Sequence, residues 1–388
     1  MMKVLKSFKT EIDPTPDQKI QINKTIGTCR FIYNFYISHN KSLYNNGGKF
    51  MSGKSFSVWL NNEFIPAHQE KAWIKEVSSK SVKKSIEDGC TAFQNFFKGR
   101  SGFPKFKKKG KSDVRMYFVK NNPKDCLCER HRIKIPALGW VKLKEKGYIP
   151  TAEDGYKVRS GTISVHAGRY YVSVLIEMPD IEPAVPETEG IGIDLGIKDL
   201  AILSDGRIYP NINKTPKMRK LEKQLKRQQR KLSRKYEYAE QHKGIHHKNL
   251  KKQVLKVQKL HQRINNIRTD HINKAVAEAV KTKPSYITIE DLDVSCMMKN
   301  RHLSKAVASQ KLYEYRSKLE TKCRWNNIEC RFVSRFYPSS KMCHNCGHIK
   351  KDLKLSDRIY HCDECGYEAD RDFNASLNLK DAEIYSIA

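Results

Sequence analysis

The sequence has no long apolar segment, and this absence limits where the protein can act. None of its hydrophobic runs approaches the roughly 20 residues that a helix needs to cross a bilayer. The first six residues, beginning at Met1, also lack the continuous apolar stretch of a secretory signal. We therefore expect a protein that has no membrane partner and acts in the cytoplasm.

Acidic residues are also few, at 42 against 74 lysines and arginines, so the formal net charge is +32. A chain with this much uncompensated charge repels itself, and a polyanion such as a phosphate backbone relieves the repulsion. A basic protein that is merely soluble is the alternative, but the clustering of the basic residues favours a nucleic-acid partner. The eleven cysteines are odd in number and mostly scattered, which argues against a disulfide framework and for a reducing interior.

The first half of the chain reads as a helical part followed by a β-rich part. Alternating apolar residues predict a strand over Lys3–Ile12, and Thr15, Pro16 and Gln18 form a capping box that begins a helix. Apolar stripes with helical spacing continue to about residue 97. We predict a helical domain over residues 15–100, preceded by a strand within residues 1–14.

Short strands follow the helical part, and the clearest of them form a hairpin. It runs from Thr162 to Ile176, with a tight turn at Ala167–Gly168. We predict a small β-barrel over residues 101–180, which the N-terminal strand joins. An acidic, proline-rich stretch at Pro179–Glu189 is the best linker, so residues 181–388 are expected to form a separate domain.

Two basic segments are candidates for contact with nucleic acid. Residues 98–115 combine lysines with phenylalanines, which can stack on unpaired bases. Residues 214–270 hold nineteen lysines or arginines against four acids, and two apolar seams predict a pair of helices with a corner near Tyr236–Gly244. Non-specific electrostatic attraction without defined contacts is the open alternative for both segments. The candidate residues are Phe103, Lys105, Phe106, Lys107, Lys108, Lys109, Arg227, Arg230 and Arg234.

Carboxylates occur where predicted strands end and where the last helix begins. Asp194 ends the apolar run that starts at Gly190, and Glu290 ends a short β-branched strand. Asp370 and Asp372 open the final helix. Such positions can converge on one edge of a sheet, where carboxylates hold two hard divalent cations for phosphodiester hydrolysis. Any one of these residues alone would more often be a turn former or a helix cap.

Four cysteines have the spacing of a structural zinc site. Cys343 and Cys346 form one pair, and Cys362 and Cys365 form a second pair fifteen residues later. A glycine follows each pair, which permits a tight knuckle. Four thiolates leave no open position on the ion, so this zinc is structural. Two redox pairs are the alternative, but a thioredoxin-like βαβ context is missing.

Together these motifs resemble the TnpB family in their residues and their order. They are Gly192-Ile193-Asp194-Leu195-Gly196, Ile289-Glu290-Asp291-Leu292, the two cysteine pairs, and Asp370-Arg371-Asp372-x-Asn374-Ala375. Two N-terminal segments, Cys29–Asn34 and Phe96–Lys107, are also similar to family motifs. The resemblance therefore covers essentially the whole chain.

The resemblance implies an RNA-guided DNA endonuclease of a compact transposable element, related to the type V CRISPR effector nucleases. It implies a multidomain chain in which a helical recognition domain and a β-barrel wedge domain precede an α/β RNase H-like (RuvC-type) nuclease domain. A zinc ribbon would be inserted in that domain at about residues 338–368. Asp194, Glu290 and Asp372 match the catalytic triad, with two Mg²⁺ ions as cofactors. Asp370 is the alternative third member of the triad. The family's catalytic Asp lies two residues before the Asn of this motif, here Asn374, which favours Asp372.

The implied partners are a guide RNA from the transposon end and target double-stranded DNA beside a short flanking motif. One protein monomer per RNA is favoured, and the expected site of action is the prokaryotic nucleoid. Two other functions stay open. A guide-dependent repressor would be expected to show a substituted carboxylate, and a transposase that joins DNA ends itself would not be expected to carry the ribbon just before its last Asp.

Overall fold

A computed structural model describes residues 5–120, 122, 125–151, 155–178, 185–242, 248–354 and 356–387. The chain forms two compact units, residues 1–181 and 182–388. None of the helices in the described ranges is both long and apolar enough to span a bilayer.

Helices dominate the first half of unit 1. The first helix begins as predicted, because the Thr15 hydroxyl accepts a hydrogen bond from the Gln18 backbone N–H at 3.3 Å and the Gln18 side chain accepts one from the Thr15 N–H at 3.0 Å. Buried side chains that include Tyr36, Phe56 and Phe93 form the core between the helices. The elements are β1 (Leu5–Asp13), α1 (Pro16–Asn45), α2 (Gly53–Trp59), a π-helical turn (Leu60–Phe64), α3 (Ile65–Ala67), a 3-10 helix (Gln69–Glu76) and α4 (Ser79–Phe97).

An antiparallel sheet forms the second half of unit 1. Its further strands are β2 (Met116–Val119), β3 (Arg132–Ile135), β4 (Gly139–Leu143), β5 (Lys157–His166) and β6 (Arg169–Glu177). The strand order is β2-β5-β6-β1-β4-β3. β5 and β6 confirm the predicted hairpin, with His166 opposite Arg169 across the turn. Strand β1 extends to Asp13, one residue beyond the prediction, while Lys3 and Val4 lie outside the described residues. Closure into a barrel stays a prediction, because no ladder among the described residues joins β2 to β3.

Unit 2 is built on a mixed sheet. The strands are β7 (Ile191–Leu195), β8 (Asp199–Leu203), β9 (Ile208–Pro210), β10 (Tyr286–Glu290), β11 (Glu329–Val333), a separate hairpin of β12 (Ile359–His361) and β13 (Glu368–Asp370), and β14 (Ser386–Ile387). The order in the main sheet is β14-β11-β10-β7-β8-β9. β7, β10 and β11 run parallel, whereas β8, β9 and β14 are antiparallel to their neighbours. The predicted strands that end in Asp194 and Glu290 are therefore adjacent.

Helices pack on this sheet over a core that includes Ile193, Ile289, Ala275 and Tyr315. They are a 3-10 helix (Ile212–Lys214), α5 (Pro216–Gln241), α6 (Lys248–Lys281), α7 (Val294–Met297), α8 (Ser304–Gln310), α9 (Leu312–Trp325) and α10 (Arg371–Lys380). The two long basic helices and the final helix are confirmed.

Two predicted boundaries differ from the structure. The helical corner was placed too early, because residues 236–241 still belong to α5; residues 243–247, which include Gly244, lie outside the described residues. The later part of the predicted linker is also tied to unit 2. The Glu187 N–H donates to the Lys283 carbonyl at 2.9 Å, and the Ser285 N–H donates to the Thr188 carbonyl at 3.0 Å. Residues 179–184 of that linker lie outside the described ranges.

Candidate metal centres and nucleic-acid surfaces

Two of the predicted carboxylates lie near the ends of neighbouring strands. β10 runs parallel to β7 with Ile289 opposite Ile193. The next residue on each strand is a carboxylate, Glu290 on β10 and Asp194 on β7. Residues that lie in register on neighbouring strands project from the same face of the sheet. Asp194 and Glu290 therefore lie side by side on one face.

Helix α10 lies across the same face of β7, at Gly192. A Cβ atom at this position would stand 2.0 Å from the Ser376 carbonyl oxygen and 2.4 Å from the Lys380 backbone nitrogen, so glycine is needed for this close approach. Residues 192 and 194 share a face of β7 because side chains alternate along a strand. Asp372, Ser376 and Lys380 share a face of α10 because four residues span about one helical turn. The packing therefore places Asp372 over Asp194.

The electrostatics of this site show the carboxylates acting on one another. Burial raises the pKa of Asp194 to about 8, and repulsion from Asp372 and Glu290 adds to the rise. Burial raises the pKa of Glu290 to about 7. The Arg371 guanidinium partly offsets the rise at Asp194. A partly buried group of carboxylates with too little positive charge nearby is suited to binding protons or divalent cations through oxygen ligands.

Asp370 and Asp372 have different surroundings, although one residue separates them. The Asp370 carboxylate caps α10 by accepting hydrogen bonds from the backbone N–H groups of Asp372 at 2.9 Å and Phe373 at 3.2 Å, and its side chain is 45% exposed. The Asp372 side chain is 15% exposed. Asp372 accepts hydrogen bonds from the Arg371 guanidinium at 2.9 and 3.1 Å. Of the two, Asp372 also raises the pKa of Asp194 more strongly. The geometry thus gives Asp370 a capping role and turns Asp372 toward the other carboxylates.

The four cysteines bring their sulfur atoms together in a compact cage. Their Sγ atoms all lie within 4.8 Å of one another, and the Cys343–Cys365 and Cys346–Cys362 Sγ pairs are each 3.6 Å apart. Tetrahedral zinc with bonds of about 2.3 Å requires sulfur–sulfur separations of about 3.8 Å. Within the described part of the chain, this is the only group that brings three or more potential metal ligands so close together. The arrangement fits zinc, as the sequence predicts.

Two knuckles shape the cage. The Gly347 N–H donates to the Cys343 carbonyl at 2.9 Å, and the Gly366 N–H donates to the Cys362 carbonyl at 3.0 Å. Both glycines have positive φ angles, 76° and 71°, which side chains disfavour. The Asn345 amide donates to the Cys365 Sγ at 3.5 Å and is the largest of several contacts that lower the pKa of this thiol, whereas the pKa values of Cys343 and Cys346 are raised. A thiol with a lowered pKa is a ready metal ligand at neutral pH.

Sequence reasoning missed two residues around Asp372. Gly192 was noted only as part of a motif, yet a glycine inside a strand often marks a close approach of another backbone, and that signal applies here. Arg358 lies with its Nη1 3.8 Å from the Asp372 Oδ2, and its carbonyl accepts from the Arg371 N–H at 2.8 Å. No local pattern in the sequence indicates this contact, because Arg358 comes from the segment between the two cysteine pairs.

The basic loop of unit 1 is fixed to α1 by a contact between the two N-terminal motifs noted above. The Asn34 side chain donates to the Lys107 carbonyl at 2.9 Å and accepts from the Lys107 N–H at 2.7 Å. The Lys107 ammonium lies 3.9 Å from the centre of the Tyr33 ring, and burial lowers its pKa. Lys107 therefore holds the loop, whereas its neighbours Lys105, Phe106, Lys108 and Lys109 are exposed. Phe103 is 42% exposed and packs edge-on against Phe93 and Phe96.

The basic hairpin of unit 2 has an apolar seam and a charged outer surface. Met218, Leu221 and Ile264 are buried between α5 and α6. Arg227, Arg230 and Arg234 on α5 are all exposed. The two segments that the sequence predicts as nucleic-acid surfaces therefore present lysine and arginine side chains to solvent.

Comparisons with known proteins find relatives over nearly the whole chain. A family model described as "Probable transposase" matches residues 173–301, a helix-turn-helix domain model matches residues 1–49, and a Cas12f1-like TNB domain model matches residues 313–379. The chain is 32% identical over 395 residues to InsQ of Escherichia coli (strain K12), with 97% of this chain and 92% of that protein covered. It is 31% identical to a protein of Streptomyces pristinaespiralis, with 100% and 92% covered. Both relatives are named for RNA-guided DNA endonuclease activity.

Among solved structures, the mini-RNA-guided endonuclease Cas-phi3 matches with a TM-score of 0.46 at 11% identity, over 97% of this chain and 92% of that one. Further relatives are named TnpB-like proteins, such as one from Acanthamoeba polyphaga mimivirus that is 29% identical over 203 residues. The extent of the match to InsQ, over nearly the full length of both proteins, defines the family. The chain belongs to the TnpB family of RNA-guided DNA endonucleases.

Proposed function

We propose that this protein cleaves double-stranded DNA that is complementary to a guide RNA from the transposon end, beside a short flanking motif. The observation that carries the proposal is the grouping of three carboxylates: Asp194 and Glu290 lie in register near the ends of adjacent parallel strands, and α10, which carries Asp372, packs on the same face of β7. A repressor would have no need of this buried, mutually repelling set.

Asp194, Glu290 and Asp372 are the residues that we assign to a pair of Mg²⁺ ions. All three offer the oxygen ligands that Mg²⁺ prefers, and the raised pKa values of Asp194 and Glu290 indicate unmet negative charge. Two such ions about 4 Å apart are the arrangement that phosphodiester hydrolysis favours. When bound, such ions activate the attacking water and stabilise the leaving oxygen. Because the pKa of Asp194 is raised, the ions would compete with a proton for this carboxylate.

The strand arrangement supports an RNase H-like, RuvC-type domain over residues 181–388. A meander of three antiparallel strands, β7-β8-β9, is extended by β10 and β11 parallel to β7. We assign residues 15–100 to a recognition domain, and residues 1–14 and 101–180 to a wedge domain. The ribbon at about 338–368 binds structural zinc, since four thiolates leave no position for substrate.

The exposed basic surfaces fit backbone contacts to nucleic acid, while base pairing with the guide reads the sequence. In unit 2 these contacts come from Arg227, Arg230 and Arg234. In unit 1 they come from Lys105, Lys108 and Lys109, with Phe103 and Phe106 available for stacking on unpaired bases. Lys107 is a less suitable phosphate ligand, because its ammonium lies on the Tyr33 ring.

The test is to purify the protein from its host, sequence the RNA that co-purifies, and supply DNA that matches the variable end of that RNA. The proposal predicts one discrete RNA and Mg²⁺-dependent cleavage of the matched DNA alone. Bound RNA with tight binding but no cleavage would indicate a repressor. Joining of DNA ends without bound RNA would indicate a transposase.

A further inference from the structure

The zinc ribbon is hydrogen-bonded to the helix that presents Asp372. The Asn374 side chain is fully buried. Its amide donates to the Met342 carbonyl at 2.7 Å, and its oxygen accepts from the His344 N–H at 3.1 Å. Met342 and His344 flank the zinc ligand Cys343, so Asn374 contacts both sides of the first knuckle.

A second asparagine repeats this contact one turn later on α10. The Asn378 side chain is 2% exposed, and its amide donates to the carbonyls of Ser339 and Met342, each at 2.7 Å. The Met342 carbonyl therefore accepts from both asparagines. Because these groups are largely buried, loss of Asn378 removes the donor to the Ser339 carbonyl and loss of Asn374 removes the acceptor of the His344 N–H, and water does not readily replace either partner.

The two asparagines lie on the side of α10 opposite the nuclease site. Positions 374 and 378 are two residues from the 372–376–380 row, which at 100° per residue places them about 200° around the helix. The 372–376–380 row contacts Gly192 of β7, and the asparagine row contacts the ribbon. Helix α10 is thus held between the ribbon on one side and the carboxylate-bearing sheet on the other.

We propose that Asn374 and Asn378 are positioning residues through which the zinc-loaded ribbon fixes Asp372 over Asp194. The proposal rests on the assignment of Asp194 and Asp372 to a metal-dependent nuclease site. Zinc binding holds Cys343 and so fixes the backbone of Met342 and His344. The asparagines transmit this geometry to α10, a helix of only ten residues whose placement depends on its packing.

A merely structural role would lower thermal stability or zinc content without changing how the site uses Mg²⁺. A positioning role changes the Mg²⁺ dependence, because misplacing one carboxylate weakens binding of the ions. The experiment therefore measures three quantities on the full-length protein with its guide RNA: zinc per chain, binding of matched DNA, and cleavage rate as a function of Mg²⁺ concentration. The variants are Asn374→Ala and Asn378→Ala.

Lys350→Ala serves as the matched control. The Lys350 ammonium pairs with Asp363 at 2.7 Å and donates to the His361 carbonyl at 3.2 Å, so it stabilises the ribbon without touching α10. We expect the control to match the wild type. Each asparagine variant should retain zinc and DNA binding, should need about tenfold more Mg²⁺ for half-maximal cleavage, and should cleave at least about tenfold more slowly at limiting Mg²⁺.

Two results would overturn the proposal. One is an unchanged Mg²⁺ dependence in a variant that keeps its zinc. The other is loss of zinc in both variants, which would show that the asparagines serve the folding of the ribbon. If the wild-type complex itself failed to cleave matched DNA, the proposed nuclease function would be wrong instead.

Discussion

Replacing Asp194 by asparagine should stabilise the Mg²⁺-free protein while it removes the activity. The pKa of the Asp194 carboxyl rises from 3.8 to about 8, chiefly through burial. A carboxyl with a raised folded-state pKa contributes its full stability below pH 3.8, and this contribution is lost as the pH rises toward 8. The loss is about 1.4 kcal/mol for each pH unit in that window. The Asp194→Asn variant carries no charge at this position and escapes the loss.

Thermal unfolding of the full-length protein at about pH 6.5 and 7.5 measures this effect. Mg²⁺ is omitted, and chelators are avoided so that the ribbon keeps its zinc. Between these two pH values the free energy of unfolding of the wild type should fall by about 1 kcal/mol relative to that of the variant. This corresponds to a fall of about 2–4 °C in Tm for a unit of this size. Added Mg²⁺ should make the wild type the more stable of the two proteins, since a ligand at 100 times its Kd stabilises the protein that binds it by about 2.7 kcal/mol.

Asp270→Asn is the control, because the Asp270 side chain is 64% exposed and pairs with Lys274 on the surface of α6. The Tm of this control variant should change as the wild-type Tm does, both between the two pH values and on addition of Mg²⁺. If Asp194→Asn also followed the wild type in both comparisons, Asp194 would not be a buried, metal-binding carboxylate.

Four further outcomes are expected. Asp372→Asn should abolish cleavage, whereas Asp370→Asn should retain most of it, because asparagine caps a helix as well as aspartate does; cleavage assays that gave the reverse order would exchange the two roles. Gly192→Ala should reduce cleavage about a hundredfold with every carboxylate intact, since the added Cβ displaces α10; unchanged kinetics would refute the packing. Cys346→Ser should lose zinc and lower the Tm of the C-terminal unit, so a full zinc content by elemental analysis would exclude this ligand. Binding of guide and target should weaken steeply with added salt, and a flat titration would argue against phosphate contacts.

The parts of the site that follow short-range rules could be predicted from the sequence. Asp194 and Glu290 each end a β-branched or apolar run, and strand ends gather at sheet edges in any α/β arrangement. The zinc cage was predictable because four cysteines with knuckle glycines have few other uses. The capping box at Thr15 is likewise a local pattern, and the structure contains it.

The parts that depend on tertiary contacts could not be predicted. The resemblance favoured Asp372 over Asp370, but only the structure shows that Asp370 caps α10 while Asp372 pairs with Arg371. Lys107 looked like its neighbours until its packing on Tyr33 was visible. The contact between Asn378 and the ribbon joins residues 36 or more positions apart, beyond the reach of any periodicity argument.

We propose that guided DNA cleavage takes place at the carboxylates grouped beside α10. The most direct measurement compares the wild-type RNA complex with its Asp194→Ala variant, for both binding and Mg²⁺-dependent cleavage of matched DNA. The account predicts nearly equal binding and no cleavage by the variant. Cleavage by the variant at the wild-type rate, or equal loss of binding and cleavage, would contradict it.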